Sequence, residues 1–176
     1  MPEALRITLI VLSSIAAAWV LLLIVDLIFI GSYLTIFKKH KNAMVVILYT
    51  KLENMRKLFS VINQSGIKID NRLYAILNDI SEKDFEDPAS TACDKSKNAL
   101  SYLKDEIMFV ANQHEDLLND VEFIQAKNNI LESDSIYRSN VTMYNADVLG
   151  YNYWIRFFPC AFVFKLFKVK KKEIIS

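Results

Sequence analysis

The chain has 176 residues, 53% of them hydrophobic, and 21 Lys and Arg against 20 Asp and Glu leave a net charge of +1. That balance excludes the strongly basic surface of a nucleic-acid-binding protein. Two cysteines, Cys93 and Cys160, exclude a disulfide framework and fit a reducing compartment, and three Gly and three Pro are too few for a hairpin-rich sheet.

After a short N-terminal segment, residues 1–6, an apolar region runs over residues 7–37. Ile7 to Val25 holds no charge, and apolar character resumes after Asp26. A helix needs about 20 apolar residues to cross the hydrocarbon core, so this stretch predicts a transmembrane helix that tilts or emerges before Phe37. The weakly basic start, with Arg6 beside Glu3, and the length of the run argue against a cleaved signal peptide. Lys38, Lys39, Lys41 and Lys51 follow the span and only Arg6 precedes it, so the positive-inside rule predicts an outside N-terminus and a cytoplasmic domain. Asp26 is the one ionisable group in the run. It reads as a helix–helix contact or a proton-handling group, or more simply as a carboxylate near the cytoplasmic interface, where its cost is small.

Residues 42–158 read as a helical bundle domain. Leu48, Leu52, Met55, Phe59 and Ile62 recur at helical spacing and predict an apolar face over Asn42–Gln64, stopped at Ser65-Gly66. Asp70 is an N-cap candidate for a short helix to Ile80, buried through Leu73, Ile76, Leu77 and Ile80. Ser81–Asp87 reads as an acidic loop. Asp87-Pro88 predicts the start of a helix over Ala89–Asn112, with Ala92, Ser96, Leu100, Leu103, Ile107 and Val110 inward. A break near Gln113-His114 separates it from the longest helix, expected from Leu117 towards Phe158. In that helix Tyr137, Tyr144, Tyr151 and Phe158 form one heptad track and Val141, Val148, Ile155 and Phe162 a second, the pattern of a coiled-coil or bundle seam.

The tail, residues 159–176, mixes Phe162, Phe164 and Phe167 with Lys165, Lys168, Lys170, Lys171 and Lys172. It suits an anionic leaflet, each Lys near the surface adding about 1 kcal/mol, or else ends the core and continues as a solvated basic tail.

Motifs for chemistry fail one after another. His114-Glu115 begins a zinc-protease pattern, but the second His is replaced by Leu118. Cys93 reads as a half-buried structural thiol, and Cys160, after Pro159, as a possible palmitoylation position. Gly31, Gly66 and Gly150 are isolated and build no phosphate loop. The most specific local pattern is Tyr144-Asn145 and Tyr151-Asn152, one heptad apart. A structural register device is a simpler reading of it than a ligand site.

Those pairs also carry a resemblance. The order Tyr144-Asn145, Val148, Tyr151-Asn152, Ile155, Phe158-Pro159 and Leu166-Phe167, with Phe123, Ile130 and Asp134 upstream and Asp116-Leu117 before them, resembles the C-terminal half of the LemA family. The family's Leu-Ile-Pro-Asn-Leu-Val run is reduced to Leu58 and Ile62, and Val141 stands where the family has an arginine, so the chain resembles a divergent member. The resemblance implies a bacterial membrane protein with an N-terminal anchor, a small domain of long antiparallel helices and no established catalysis. It transfers no catalytic residue.

Together these readings predict an all-α protein: one N-terminal transmembrane helix, then an antiparallel bundle of long helices. The expected role is a non-catalytic scaffold or adapter at the cytoplasmic face of a bacterial inner membrane. Its expected partners are membrane lipid and either another protein or a second copy, with no nucleic acid, cofactor or metal. The alternative is an oligomerising accessory subunit of a channel or transporter, with Asp26 and Gly31 at the interface. The interaction residues are Tyr144, Asn145, Val148, Tyr151, Asn152, Ile155, Phe158 and Pro159. The membrane-facing set is Asp26, Lys38, Lys39, Lys168, Lys170, Lys171 and Lys172.

Overall fold

The computed structural model describes residues 2–156, 161, 165 and 169–175. All regular structure among them is helical: α1 (Glu3–Gln64), α2 (Asn71–Asp79), a single 3-10 turn (Glu82–Phe85), α3 (Thr91–Ala111), α4 (Glu115–Leu118) and α5 (Val121–Trp154). The chain forms two compact units. One joins Met1–Lys38 to Asn145–Ile174, and the other joins Lys39–Tyr144 to Ile175–Ser176.

The second unit is an antiparallel bundle. His40, Lys51 and Asn54 of α1 meet Asn140, Asp134 and Asn129 of α5, so residue numbers fall on one helix as they rise on the other. Lys97 and Lys104 of α3 meet Tyr137 and Asp134 in the same reversed order. The predicted stripe Leu48, Leu52, Met55, Phe59 and Ile62 is buried, with Leu73, Leu77, Leu100, Leu103 and Ile107 packed into the same core. Core burial of this kind stabilises by about 1.5–3 kcal/mol per large apolar side chain.

The helix ends follow local chemistry. Gly66 takes φ 72°, the left-handed conformation that ends α1 after Gln64. Asp70 caps α2 by accepting from the Arg72 N–H. Several expectations need correction. Ser81–Asp87 is not wholly irregular: Ser81 and Asp84 form a reciprocal capping box around the 3-10 turn. Nor does Asp87-Pro88 start α3. Asp87 Oδ1 accepts from the Ala89 N–H and forms a turn, and Ser90 is the N-cap, accepting from the Cys93 N–H. The first helical residue is therefore Thr91. Ala92 faces outward and Cys93 inward, while Val110 is half-buried and Ala111 closes the stripe. The break after α3 falls where expected, but α5 starts at Val121, with Asp120 Oδ1 accepting from the Phe123 N–H at 2.8 Å.

In the first unit, α1 is long and apolar enough to cross a membrane, and its apolar window is unburied by protein. Ile10 is 64% exposed, Leu21 63% and Ile28 62%. Such a continuous apolar surface is foreign to a water-facing helix.

Candidate functional site: the aromatic face of α1 and the charged triad of the bundle

Asp26, Phe29, Tyr33 and Phe37 follow one another at steps of three and four along α1 and so share one face. The end of α5 lies against that face. Phe29 stacks on Trp154 with ring centroids 4.7 Å apart and planes 17° from parallel. Tyr151 meets Tyr33 edge-on at 5.7 Å and Phe37 at 5.4 Å and 88°. Edge-to-face pairs of this kind add about 0.5–1.5 kcal/mol each beyond the area they bury. Gly150 permits the approach: a Cβ there would lie 3.2 Å from the Tyr33 hydroxyl oxygen.

Asp26 sits one turn before Phe29 on this face and is 2% exposed, although its neighbours Val25 and Leu27 are 44% and 52% exposed. Its carboxylate is therefore covered, unlike the side chains on either side of it. Asp26 Oδ2 and the Trp154 Nε1–H are both buried without a hydrogen-bond partner.

The Tyr-Asn pairs divide between the units. Tyr144 belongs to the bundle, where it is buried; its phenol is pushed up first by that burial. Val148, Tyr151 and Ile155 are buried in the first unit, while Tyr137 and Val141, earlier on the same two tracks, are half-buried. Asn152 acts as a clasp. Its amide nitrogen donates to the Lys172 carbonyl at 2.8 Å, and its amide oxygen accepts from the Lys172 N–H at 3.0 Å. The Tyr151 hydroxyl adds a hydrogen bond to the Lys170 carbonyl at 3.3 Å. Asn145 is half-buried. Phe158, Pro159 and Lys168 lie outside the described residues, as do Cys160, Phe162, Phe164 and Phe167. Lys38 and Lys39 are exposed, as are Lys170, Lys171 and Lys172, and the backbone of Lys170 and Lys172 is held by the bonds just described.

The bundle holds a second polar constellation. Asp134 receives Lys51 from α1 on one carboxylate oxygen and Lys104 from α3 on the other, the latter at 3.2 Å. Lys51 is 5% exposed. Burial opposes ionisation of Asp134, and the hydrogen bonds and charges of Lys51 and Lys104 outweigh it, holding the carboxyl below its ordinary range. Beside the triad, Asn129 donates to Asn54 Oδ1 at 3.2 Å, and Asn54 donates to the Thr50 carbonyl at 2.7 Å. Sequence reading placed Asp134 only within the family resemblance and counted Lys51 as a flanking charge. The one available signal was that each sits beside apolar positions of its own helix. Lys41, also counted as flanking, pairs with Asp87 at 3.0 Å.

Both carboxylate oxygens of Asp134 are engaged by lysines from two other helices, which ties α1, α3 and α5 together. Next to Asn54 and Asn129, a groove of about 350 Å³ opens between α1 and α5, lined also by Lys57, Ser60, Glu122 and Gln125. Burial pushes the Cys93 thiol up and keeps it neutral within the core. Among the described residues no cluster of three or more His, Cys, Asp or Glu could hold a metal ion. The chain matches no family model, no curated protein and no solved structure.

Proposed function

We propose that the chain is a membrane-anchored helical-bundle protein of the LemA type, serving as a non-catalytic scaffold or adapter at the cytoplasmic face of a bacterial inner membrane. The observation that carries this reading is the contrast within α1. Its first part leaves Ile10, Leu21 and Ile28 bare, a surface that a bilayer covers. Its last part places Leu48, Leu52 and Met55 in a bundle core. The orientation rests on Lys38, Lys39, Lys41 and Lys51 after the span against Arg6 before it. The adapter role rests on the bundle's saturated polar groups and its open, shallow groove, which suit a protein surface more than a reaction.

In-cell cross-linking, purification through a C-terminal tag and mass spectrometry test the role. Reproducible recovery of one foreign protein supports an adapter, and recovery of the chain alone supports a self-assembling scaffold. Absence of any cross-linked species sinks both.

A further inference from the structure

The bundle groove has α1 and α5 as its sides and the buried Val61 and Ala126 as its floor. The two helices run antiparallel from the Asn54–Asn129 hydrogen bond, so Lys57 stands level with Ala126, and Val61 with Glu122. Lys57 and Glu122 are therefore offset by one turn along the groove, about 6 Å. Helical side chains lean toward the N-terminus of their own helix. On antiparallel helices this carries the Lys57 ammonium toward Asn129 and the Glu122 carboxylate away from it. Opposite charges lining one groove thus lean apart, and among the described residues neither has an ion-pair or hydrogen-bond partner. The groove is positive toward one end and negative toward the other.

Between the charges stand two amides, Gln125 and Asn129. Asn129 is held in place: its nitrogen donates to Asn54 Oδ1 at 3.2 Å, and Asn54, 4% exposed, donates to the Thr50 carbonyl at 2.7 Å. Asn129 Oδ1 and the whole Gln125 amide keep no partner among the described residues. A side-chain amide offers a donor and an acceptor side by side, the complement of a peptide unit. Asn152 already uses its amide in this way on the backbone of Lys172. A cation at one end, an anion at the other, amides between and a small apolar floor are complementary to a peptide with both ends free. Three extended residues at about 3.3 Å each span about 10 Å, the one-turn offset plus the reach of two long side chains. A volume of about 350 Å³ lies at the small end of ligand sites and suits a ligand of that size.

We propose that this groove binds a short peptide unblocked at both ends, its carboxylate on Lys57, its ammonium on Glu122 and its peptide groups on Gln125 and Asn129. The inference goes beyond the adapter reading and needs neither the anchor nor a protein partner. Failure of the cross-linking therefore leaves it standing, and its own failure leaves the adapter reading standing.

The experiment titrates the full chain in detergent micelles with trialanine in a calorimeter. The expected result is saturable binding at one site per chain, weakened about tenfold or more by Lys57→Met and by Glu122→Gln, the loss of one charge-assisted hydrogen bond in each. Lys57 and Glu122 are exposed, so both variants should keep the wild-type unfolding temperature. Blocked peptides assign the ends. N-acetyl-trialanine should bind more weakly than trialanine and lose nothing further with Glu122→Gln, and trialanine amide should behave in the same way toward Lys57→Met. No saturable binding at millimolar trialanine overturns the proposal, as does binding that survives both variants. N-acetyl-trialanine binding as tightly as trialanine overturns it too, because the groove would then recognise any carboxyl end of a chain and not a free peptide.

Discussion

The side-chain amide of Asn152 closes on the backbone of Lys172, giving one hydrogen bond at 2.8 Å and taking one at 3.0 Å. A side-chain amide carries a donor and an acceptor side by side, matching the backbone carbonyl and N–H of one residue. This explains an Asn here without invoking a ligand.

Asn152→Ala removes both bonds. At about 0.5–1.5 kcal/mol per hydrogen bond, the opening free energy of residues 170–172 should fall by about 1–3 kcal/mol. Hydrogen exchange at the Lys172 amide reads it directly. Asn152→Asp keeps the acceptor and loses the donor, so its protection should lie between wild type and Ala. Equal protection in all three proteins would remove the clasp as a restraint.

Among the described residues Asp134 is the carboxylate that pairs with buried Lys51, so Asp134→Asn leaves an ammonium in the core without its counter-charge. Breaking such a pair costs about 3–5 kcal/mol. The double variant Lys51→Met with Asp134→Leu should recover most of that loss, because it removes both charges together. Urea unfolding in detergent measures the two variants.

The same residue sets a pH dependence. The folded-state pKa of Asp134 lies below the ordinary carboxylate range, with burial opposing the shift and the Lys51 and Lys104 hydrogen bonds producing it. A depressed carboxyl contributes stability that is fully present above the unfolded pKa and is lost as pH falls through the folded one. Bundle stability should therefore hold near neutrality and decline once pH drops below about 4. Asp134→Asn should flatten that decline, as a denaturation series across the acid range will show.

Gly150 and Tyr33 should be coupled. Alanine at 150 gains helix propensity worth about 0.5–1 kcal/mol relative to glycine but pushes on the Tyr33 hydroxyl. The next nearest atom, Tyr33 Cζ, stands at 4.0 Å, so removing the hydroxyl clears the space. In a Tyr33→Phe background, Gly150→Ala should stabilise, and in the wild-type background it should stabilise less or destabilise. A double-mutant cycle on thermal unfolding gives the coupling, and additive effects would place Tyr33 away from Gly150.

Asp26 Oδ2 is buried with no hydrogen-bond partner, a cost of about 1–3 kcal/mol for a polar group. Asp26→Leu should raise the unfolding temperature of the detergent-solubilised chain. A fall would show that the carboxylate makes a contact that stabilises the unit.

The helical class was legible because it rests on local properties. Few Gly and Pro, long apolar periods and cap residues such as Asp70 act within a turn or two of themselves. The uncharged run from Ile7 to Val25 was legible for the same reason. Tyr144, Val148, Tyr151 and Ile155 were legible as a seam, since heptad spacing decides which side chains share a face. The start of α3 was misread because two cap signals lie three residues apart: Asp87 spends its side chain on a turn, which leaves Ser90 as the cap.

Tertiary structure alone decided what each face meets. Asp26 in a sequence is a costly charge whose surroundings depend on which distant segment covers it. Lys51 reads as a flanking cation until Asp134, 83 residues away, takes it into the core. Asn152 reads as a polar seam residue until Lys172 returns to it. The pairing partner of a polar group is a long-range property, because a hydrogen bond or an ion pair forms only where the chain brings two groups within about 3 Å, and no local period encodes that distance.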